Sequence, residues 1–539
     1  MRVSLPSRAA WRLLLIVHLV ALLLLGGVVA RQLQSAAMHD LQLAAGERLK
    51  CVSYAPYHLP GQTPFDAELV ISRAQIAADL AALAPLTECV RVYSIDQGLD
   101  QVPAIARELG LGVLLGAWIG TNRTRNAAEL DRAIALANAY PDVVRALIVG
   151  NEVLLRRERT EDELRELLAY AQARTSVPVT YADVWEFWLK AERLADAVDL
   201  VTVHILPFWE DDPVAIEEAV AHVGAVFEAV RGNFDKPLLI GETGWPSAGR
   251  QREASLPSRV NQARYIREFV HEAHAEGWNY NLIEAIDQPW KRRLEGTVGG
   301  YWGILDVGLA PKFPLAGPLA ERAGAALPAL GAALGAVLCL GLGATARGTG
   351  ARAPLRLAAT AALGAVAGLV AVLHAEHAQR AYRDALEWSL LGGVAALALM
   401  VPLALARWAA DTSIGSAAAA WARLRAIPAA LPAPPTVLAL LRGVLLFAAA
   451  AAALLLFVDP RYRDFPTLLY LVPALAFGTL GWLQTGRHGA EERICAVVLA
   501  VAVTGRWLSE PANPEAVGWL VTGLILAAPA LRRVARQHE

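Results

Sequence analysis

Ile240-Gly241-Glu242-Thr243-Gly244-Trp245-Pro246-Ser247 is the stretch that decides the fold, and Leu147-Ile148-Val149-Gly150-Asn151-Glu152-Val153 is its upstream counterpart. Each contains a short apolar run with β-branched residues that finishes close to a glutamate. Such a run reads as a buried strand, because a sheet covered by helices needs apolar side chains on both faces. A carboxylate at its end contributes nothing to a core and is costly to bury there. One such glutamate reads as a solvated residue where a strand surfaces into a loop. Two of them, Glu152 and Glu242, read as a pair of carboxyls facing one cleft.

Working outward, residues 48–310 alternate strand-like and helix-like segments. The strands are expected at Leu49–Tyr54, Cys89–Tyr93, Gly112–Trp118, Val144–Asn151, Val179–Ala182, Leu200–His204, Leu238–Glu242 and Leu282–Ile286. The fifth is the weakest, a short run just after Pro178, which has no N–H for a ladder. Between them, Ile76–Leu83 and Thr160–Ala173 carry helical periodicity. Eight strands alternating with helices over this length is the size of a (β/α)8 TIM barrel. An open doubly wound sheet is the competitor, but no Gly-x-Gly-x-x-Gly turn follows the first strand.

The remainder of the 539 residues is different in kind. The whole chain is 55% hydrophobic and 19% charged, too apolar for an ordinary soluble protein. Its net charge of −2 gives no electrostatic case for nucleic acid as a partner. Arg2, Arg8 and Arg12 precede the apolar Leu13–Ala30, so residues 1–38 read as an uncleaved signal anchor rather than a removed signal peptide. Residues 40–320 have a globular composition. Residues 325–539 read as an all-α polytopic membrane domain, with seven apolar segments rich in Ala, Gly and Leu. These are Ala326–Ala344, Leu357–His374, Trp388–Ala406, Val437–Val458, Leu468–Leu483, Ile494–Leu508 and Val517–Leu531. With the barrel placed outside, the inner loops carry eleven arginines and the outer loops five, which sets the orientation. Arg442 falls inside a predicted helix and is expected to snorkel. Of the four cysteines, Cys51 and Cys89 are expected as free buried thiols, since adjacent barrel strands seldom offer disulfide geometry. Cys339 and Cys495 read as packing. No spacing suggests a metal site, and no cofactor is expected.

Val149-Gly150-Asn151-Glu152 and Gly241-Glu242-Thr243-Gly244-Trp245-Pro246-Ser247 resemble motifs of glycoside hydrolase family 17, the β-1,3-glucanases. The resemblance covers about residues 48–315 and continues at Tyr301-Trp302-Gly303-Ile304-Leu305-Asp306. It implies Glu152 as general acid/base and Glu242 as nucleophile, with retention of configuration. It also implies that Asn151 meets the sugar 2-hydroxyl. A tyrosine beside the nucleophile is expected, with Tyr54, Tyr93 and Tyr181 as candidates. His204 stands where plant members carry asparagine, and Gln288 where they carry glutamate. Indoles at strand ends are candidates to stack on sugar rings, among them Trp118, Trp209, Trp245 and Trp290.

A glucan-active domain tethered to a large membrane part resembles bacterial membrane proteins that remodel or help to make β-1,3/β-1,6-glucans. The expected function is a glucanosyltransferase in the inner membrane, facing the periplasm, with plain β-1,3-glucanase as the alternative. β-Glucan and the lipid bilayer are the expected partners, and a glucan synthase is a candidate protein partner. A silent carbohydrate-binding or export component fits less well, since both glutamates are present. Nucleotide-sugar polymerisation is disfavoured because no Asp-x-Asp lies in an inner loop. The arginine distribution places the C-terminus in the cytoplasm, so a C-terminal reporter is expected to be active only inside; a reporter active only in the periplasm refutes the orientation.

Overall fold

The computed structural model describes residues 8–41, 43, 46–345, 353–408, 413–426, 432–483 and 488–532. Arg2, Arg347, Arg352, Arg487, Arg533 and Arg536, which enter the charge argument, lie outside these residues. The chain divides into two compact units, Ala36–Leu319 and Met1–Ser35 with Ala320–Glu539.

The first unit is a closed barrel of eight parallel strands in sequential order. They are β1 (Val52–Ser53), β2 (Cys89–Val92), β3 (Gly112–Ala117), β4 (Val144–Asn151), β5 (Val179–Val184), β6 (Val201–His204), β7 (Leu238–Thr243) and β8 (Asn279–Leu282). Alternate residues face two different cores. Leu114, Ala146, Ile148, Ala182 and Leu239 pack inside the barrel, whereas Val113, Leu115, Leu147, Val149 and Ile240 pack outward under the helices. The Glu161–Gln172 helix begins where its sequence signal lies, with Thr160 and Glu163 forming a reciprocal capping box.

Strand eight departs from expectation. It runs over Asn279–Leu282, not Leu282–Ile286, because inward Asn281 replaces an apolar residue and donates to Ser53 Oγ and the Gly241 carbonyl, both at 2.7 Å. The cysteine expectation is also corrected. Val52 pairs with Val90, so Cys51 stands directly opposite Cys89 with Cα atoms 4.4 Å apart, and the two form a disulfide inside the barrel. In-register residues of adjacent parallel strands present side chains to the same face, which brings these sulfurs together.

Two β-bulges matter most. Between β4 and β5, Ile148 pairs with Thr180 but Asn151 pairs with Ala182, so β4 holds one extra residue. Between β6 and β7, Val203 pairs with Ile240 but His204 pairs with Glu242, so β7 holds one extra as well. Each bulge includes a glycine, and a bulge re-aims the side chains that follow it. Gly150 has φ +85°, and a Cβ there would lie 2.7 Å from Val153 Cγ2.

The second unit is helical. All seven apolar segments read after the barrel fall within helices, and a further helix, Ala417–Ala426, lies between the third and fourth of them. Among the described residues, six helices are long and apolar enough to cross a membrane, including Trp11–Gln32; Thr467–Gly481 is shorter. Ala490–Ser509 begins with Glu491, Glu492 and Arg493 and is not among the six. The Ala326–Thr345 and Ala353–Ala381 helices touch backbone to backbone, since a Cβ on Gly335 would sit 2.0 Å from the Gly364 carbonyl oxygen. Gly331/Gly335 and Gly364/Gly368 thus form two small-xxx-small faces in contact. Arg442 does not snorkel: it is buried, with Nε 2.8 Å from Glu492 Oε1 and Nη2 2.8 Å from the Gly415 carbonyl oxygen.

The disulfide makes a direct prediction. Alkylation of the denatured, unreduced protein should modify two of its four cysteines, Cys339 and Cys495, and all four after reduction. Reduction should also destabilise the barrel by about 2–4 kcal/mol, read by chemical denaturation.

Candidate active site

The inward phase of the strands becomes polar towards their C-terminal ends, and Arg91 organises it. From β2 its guanidinium is almost fully buried and donates through Nη1 to the Gly241 carbonyl (2.7 Å) and Glu242 Oε1 (3.1 Å). Nη1 also lies 3.3 Å from His204 Nε2, and Nη2 donates to Asn151 Oδ1. One cation therefore spans β2, β4, β6 and β7. It also holds the carbonyl of the β7 bulge, which sets Glu242 into the mouth. Gly241 is required there, since a Cβ would come within 2.5 Å of Thr202 Cγ2.

Tyr93 supplies a second hold on Glu242, donating to Oε1 at 2.8 Å, while its hydroxyl lies 2.9 Å from Ser53 Oγ. Burial, and then the neighbouring Glu242 charge, push the Tyr93 phenol well above its ordinary range, so it remains a neutral donor. Glu152 sits in the left-handed region at φ +50°, strained for a residue with a side chain. Its loop is braced from β5: Tyr181 Oη accepts from Leu154 N–H (2.9 Å) and Asp183 Oδ2 does so at 3.2 Å. Arg156 clasps the same turn, donating to the Asn151 carbonyl and to Glu158.

His204 lies between the glutamates. Its Nδ1 is 3.3 Å from Glu152 Oε1, and its Nε2 is 3.6 Å from Glu242 Oε1. Burial alone would raise the Glu152 carboxyl, but the His204 hydrogen bond, with the Arg156 and Arg91 charges, holds it below its ordinary value. One donor atom each of Glu152, His204 and Glu242 lies within 4.8 Å of the others. The two ring nitrogens face different glutamates, Nδ1 towards Glu152 and Nε2 towards Glu242. With Arg91 already against Glu242, the set fits a hydrogen-bonded relay rather than a chelate.

The other expected site residues divide. Asn151 joins the cluster; with Oδ1 held by Arg91, its amide nitrogen is left to meet a ligand. Trp118 is 36% exposed, with the Arg156 guanidinium 4.4 Å from its ring centroid. Trp209 is half-buried beside Trp302, and Trp290 is half-buried with exposed Phe65 edge-on at 5.6 Å. Four residues are corrected, because each is too buried to touch a ligand. Tyr54 donates to Asp79 (2.8 Å), and Tyr181 braces the Glu152 loop. Trp245 is wedged against Phe208 and Tyr265, with its N–H on the Leu256 carbonyl. Gln288 donates to the Ala55 carbonyl and accepts from Trp290 Nε1, so it orients an indole instead of serving as a third acid.

Sequence reasoning missed Arg91 as a site residue, together with Ser53 and Asn281. The available signal was an arginine alternating with Cys89 and Tyr93 on one face of an otherwise apolar strand. It also missed a charged cluster after β8. Lys291 Nζ is 2.8 Å from the buried Glu284, and Lys312 Nζ is 2.7 Å from Asp287. Burial pushes Glu284 up to about 7, partly offset by Lys291, and Asp287 up to about 6, partly offset by Lys312.

Residues 51–303 match the BtgE/BtgC glycoside hydrolase domain family. The chain is 28% identical over 264 residues to a probable beta-glucosidase btgE of Aspergillus flavus, covering 47% of this chain and 42% of that protein. It is 26% identical to the glucan endo-1,3-beta-glucosidase btgC of Emericella nidulans, covering 44% and 41%. It is 25% identical to a glucan 1,3-beta-glucosidase of Saccharomyces cerevisiae, covering 43% and 82%. The chain thus spans about two fifths of the length of the first two relatives. Among solved structures, a beta-1,3-glucanosyltransferase of Rhizomucor miehei aligns at 23% identity and a TM-score of 0.44, covering 51% of this chain and 98% of that one.

The charged cluster yields a pH dependence. Glu284 titrates near 7 in the fold against 4.5 for a free glutamate, so the unfolded chain ionises first and stability falls as pH rises through that interval. The melting temperature of Glu284→Gln should therefore gain on that of the wild type between about pH 4.5 and 7; parallel curves would refute the burial of an ionisable group there. Residues 51–303 are thus similar in sequence to the BtgE/BtgC glycoside hydrolase domain.

Proposed function

We propose that the barrel is a retaining β-1,3-glucan glucanosyltransferase, held in a bacterial inner membrane and facing the periplasm, that takes part in β-1,3/β-1,6-glucan synthesis or remodelling. The observation that carries this reading is the spacing of Glu152 and Glu242, whose nearest donor atoms lie within 4.8 Å. That contact is on the scale of a retaining pair, whose carboxyl groups stand about 5–5.5 Å apart, rather than of an inverting pair at about 6.5–9.5 Å.

In this mechanism Glu242 attacks the anomeric carbon, its carboxylate oriented by Arg91 and Tyr93. Glu152 protonates the departing oxygen as the C1–O bond breaks, and a covalent glycosyl ester remains on Glu242. Asn151 donates its amide to the 2-hydroxyl. Trp118, Trp209 and Trp290 offer aromatic faces for further sugar rings. An acceptor hydroxyl then attacks the ester, giving its proton to Glu152. If water takes that place, the outcome is hydrolysis; the names of the fungal relatives, all glucosidases, favour this second reading.

The membrane placement draws support from the six apolar helices. The Cys51–Cys89 disulfide supports an oxidising compartment for the barrel.

Substitution of the two glutamates tests the proposal. Glu242→Gln should abolish turnover of laminari-oligosaccharides. Glu152→Gln should lose about 10²–10⁴-fold on them, yet still accept a glycosyl fluoride, whose leaving group needs no proton. Azide should then rescue turnover as the β-glycosyl azide. An α-azide from the Glu152 variant would reverse the roles, and full activity in either variant would refute the mechanism. Product analysis with excess acceptor separates transfer from hydrolysis.

A further inference from the structure

We propose that His204 is a positioning residue for the acid/base glutamate: a neutral imidazole with its proton on Nδ1 that holds Glu152 as a carboxylate ready to receive the acceptor's proton. The inference rests on the retaining reading above and adds the group that poises it for the second half-reaction.

The geometry assigns the proton. His204 Nε2 lies 3.3 Å from Arg91 Nη1, and a guanidinium only donates. A proton on Nε2 would point at the protons of a cation, so Nε2 carries its lone pair there. The 3.6 Å gap from Nε2 to Glu242 Oε1 is too long for a competing hydrogen bond. The single proton of the neutral ring is then on Nδ1, which faces Glu152 Oε1 at 3.3 Å. The ring has little freedom to turn over, since His204 is 1% exposed and sits at the end of β6, paired to Glu242 across the β7 bulge.

Other charged groups face the pair from every side. Arg91 on β2, Arg156 after β4 and Lys291 after β8 supply positive charge. Asp183 on β5, Glu242 on β7 and Glu295 beyond Lys291 supply negative charge. Among these, His204 makes the direct hydrogen bond to the Glu152 carboxylate. A donor to the ionised form favours that form.

The consequence falls on deglycosylation. The acceptor O–H gives its proton to Glu152 as its oxygen bonds to C1. The C1–O bond to Glu242 breaks, and that electron pair returns to the Glu242 carboxylate. A Glu152 already held ionised by Nδ1–H begins this step in the required state. In the first half-reaction the same bond works against protonation, so the free enzyme should lose kcat/KM on natural glucans at an unusually low pH.

Two measurements on the full-length protein in detergent test the assignment. Selective 15N-histidine labelling, with the His204→Asn variant to identify the signal, should show His204 protonated at Nδ1 and bare at Nε2; the opposite tautomer, or a doubly protonated ring, overturns the proposal. In the pH profile of kcat/KM on laminari-oligosaccharides, His204→Leu should move the alkaline limb up by about one unit. His204→Asn, whose amide nitrogen overlays Nδ1, should keep the limb near that of the wild type. No shift in the leucine variant, or an equal shift in both, overturns it. A wild-type protein inactive on these substrates would instead fail the functional reading, and the tautomer would still decide the state of His204.

Discussion

The barrel mouth depends on one buried cation. Arg91 reaches the Gly241 carbonyl, Glu242, His204 and Asn151 from a single guanidinium. Burying a charge of this kind is unfavourable unless its donors are met, and removing one partner of a buried pair costs about 3–5 kcal/mol. Arg91 meets most of that demand through its two terminal nitrogens, which collect acceptors from three other strands; Glu242 and Asn151 of the proposed site are among them. Its buried Nε has no hydrogen-bond partner among the described residues. The β7 bulge turns the Gly241 carbonyl inward for Arg91, and the same extra residue brings Glu242 into line with His204. Fold and site are thus coupled through one side chain.

This coupling explains what the sequence disclosed and what it hid. Strand-end glutamates were legible because a carboxylate after an apolar run has few other places to go. The eight-strand repeat was legible from alternation alone, and the Thr160 cap from its pairing with Glu163. The phase of individual side chains was not. Tyr54 and Tyr181 fall on the outward phase of β1 and β5, next to inward Ser53 and Ala182, and Trp245 follows the β7 bulge. All three end strands in sequence yet lie buried outside the cleft. The Cys51–Cys89 bond escaped for a related reason, since it requires strand register, and register between strands 38 residues apart is not written locally. Gln288 was recognised as a departure, but its partners, Ala55 and Trp290, come together only when β8 closes on β1.

In the helical unit the same physics operates in more apolar surroundings. Arg442 is expected to snorkel on sequence alone because its partner, Glu492, is 50 residues away and lies at the start of another helix. Glu492 also accepts from the Gly489 N–H at its own helix start. A carboxylate that caps one helix and neutralises a cation on another fixes the register of both, a role attested for buried polar groups elsewhere. The paired glycine faces of the Ala326–Thr345 and Ala353–Ala381 helices act differently, through contact alone.

The two ends of the barrel unit meet. Ala36 and Leu319 exchange backbone hydrogen bonds at 2.9 and 3.2 Å, and Leu41 N–H reaches the Leu315 carbonyl oxygen at 2.8 Å. A domain that enters and leaves through adjacent residues occupies its host chain as a cassette. Termini that lie together at the surface are the geometry in which a domain can be inserted into a host chain. That modularity offers a physical reason why a barrel similar to those of fungal glucosidases is found in a chain whose remainder is of another kind.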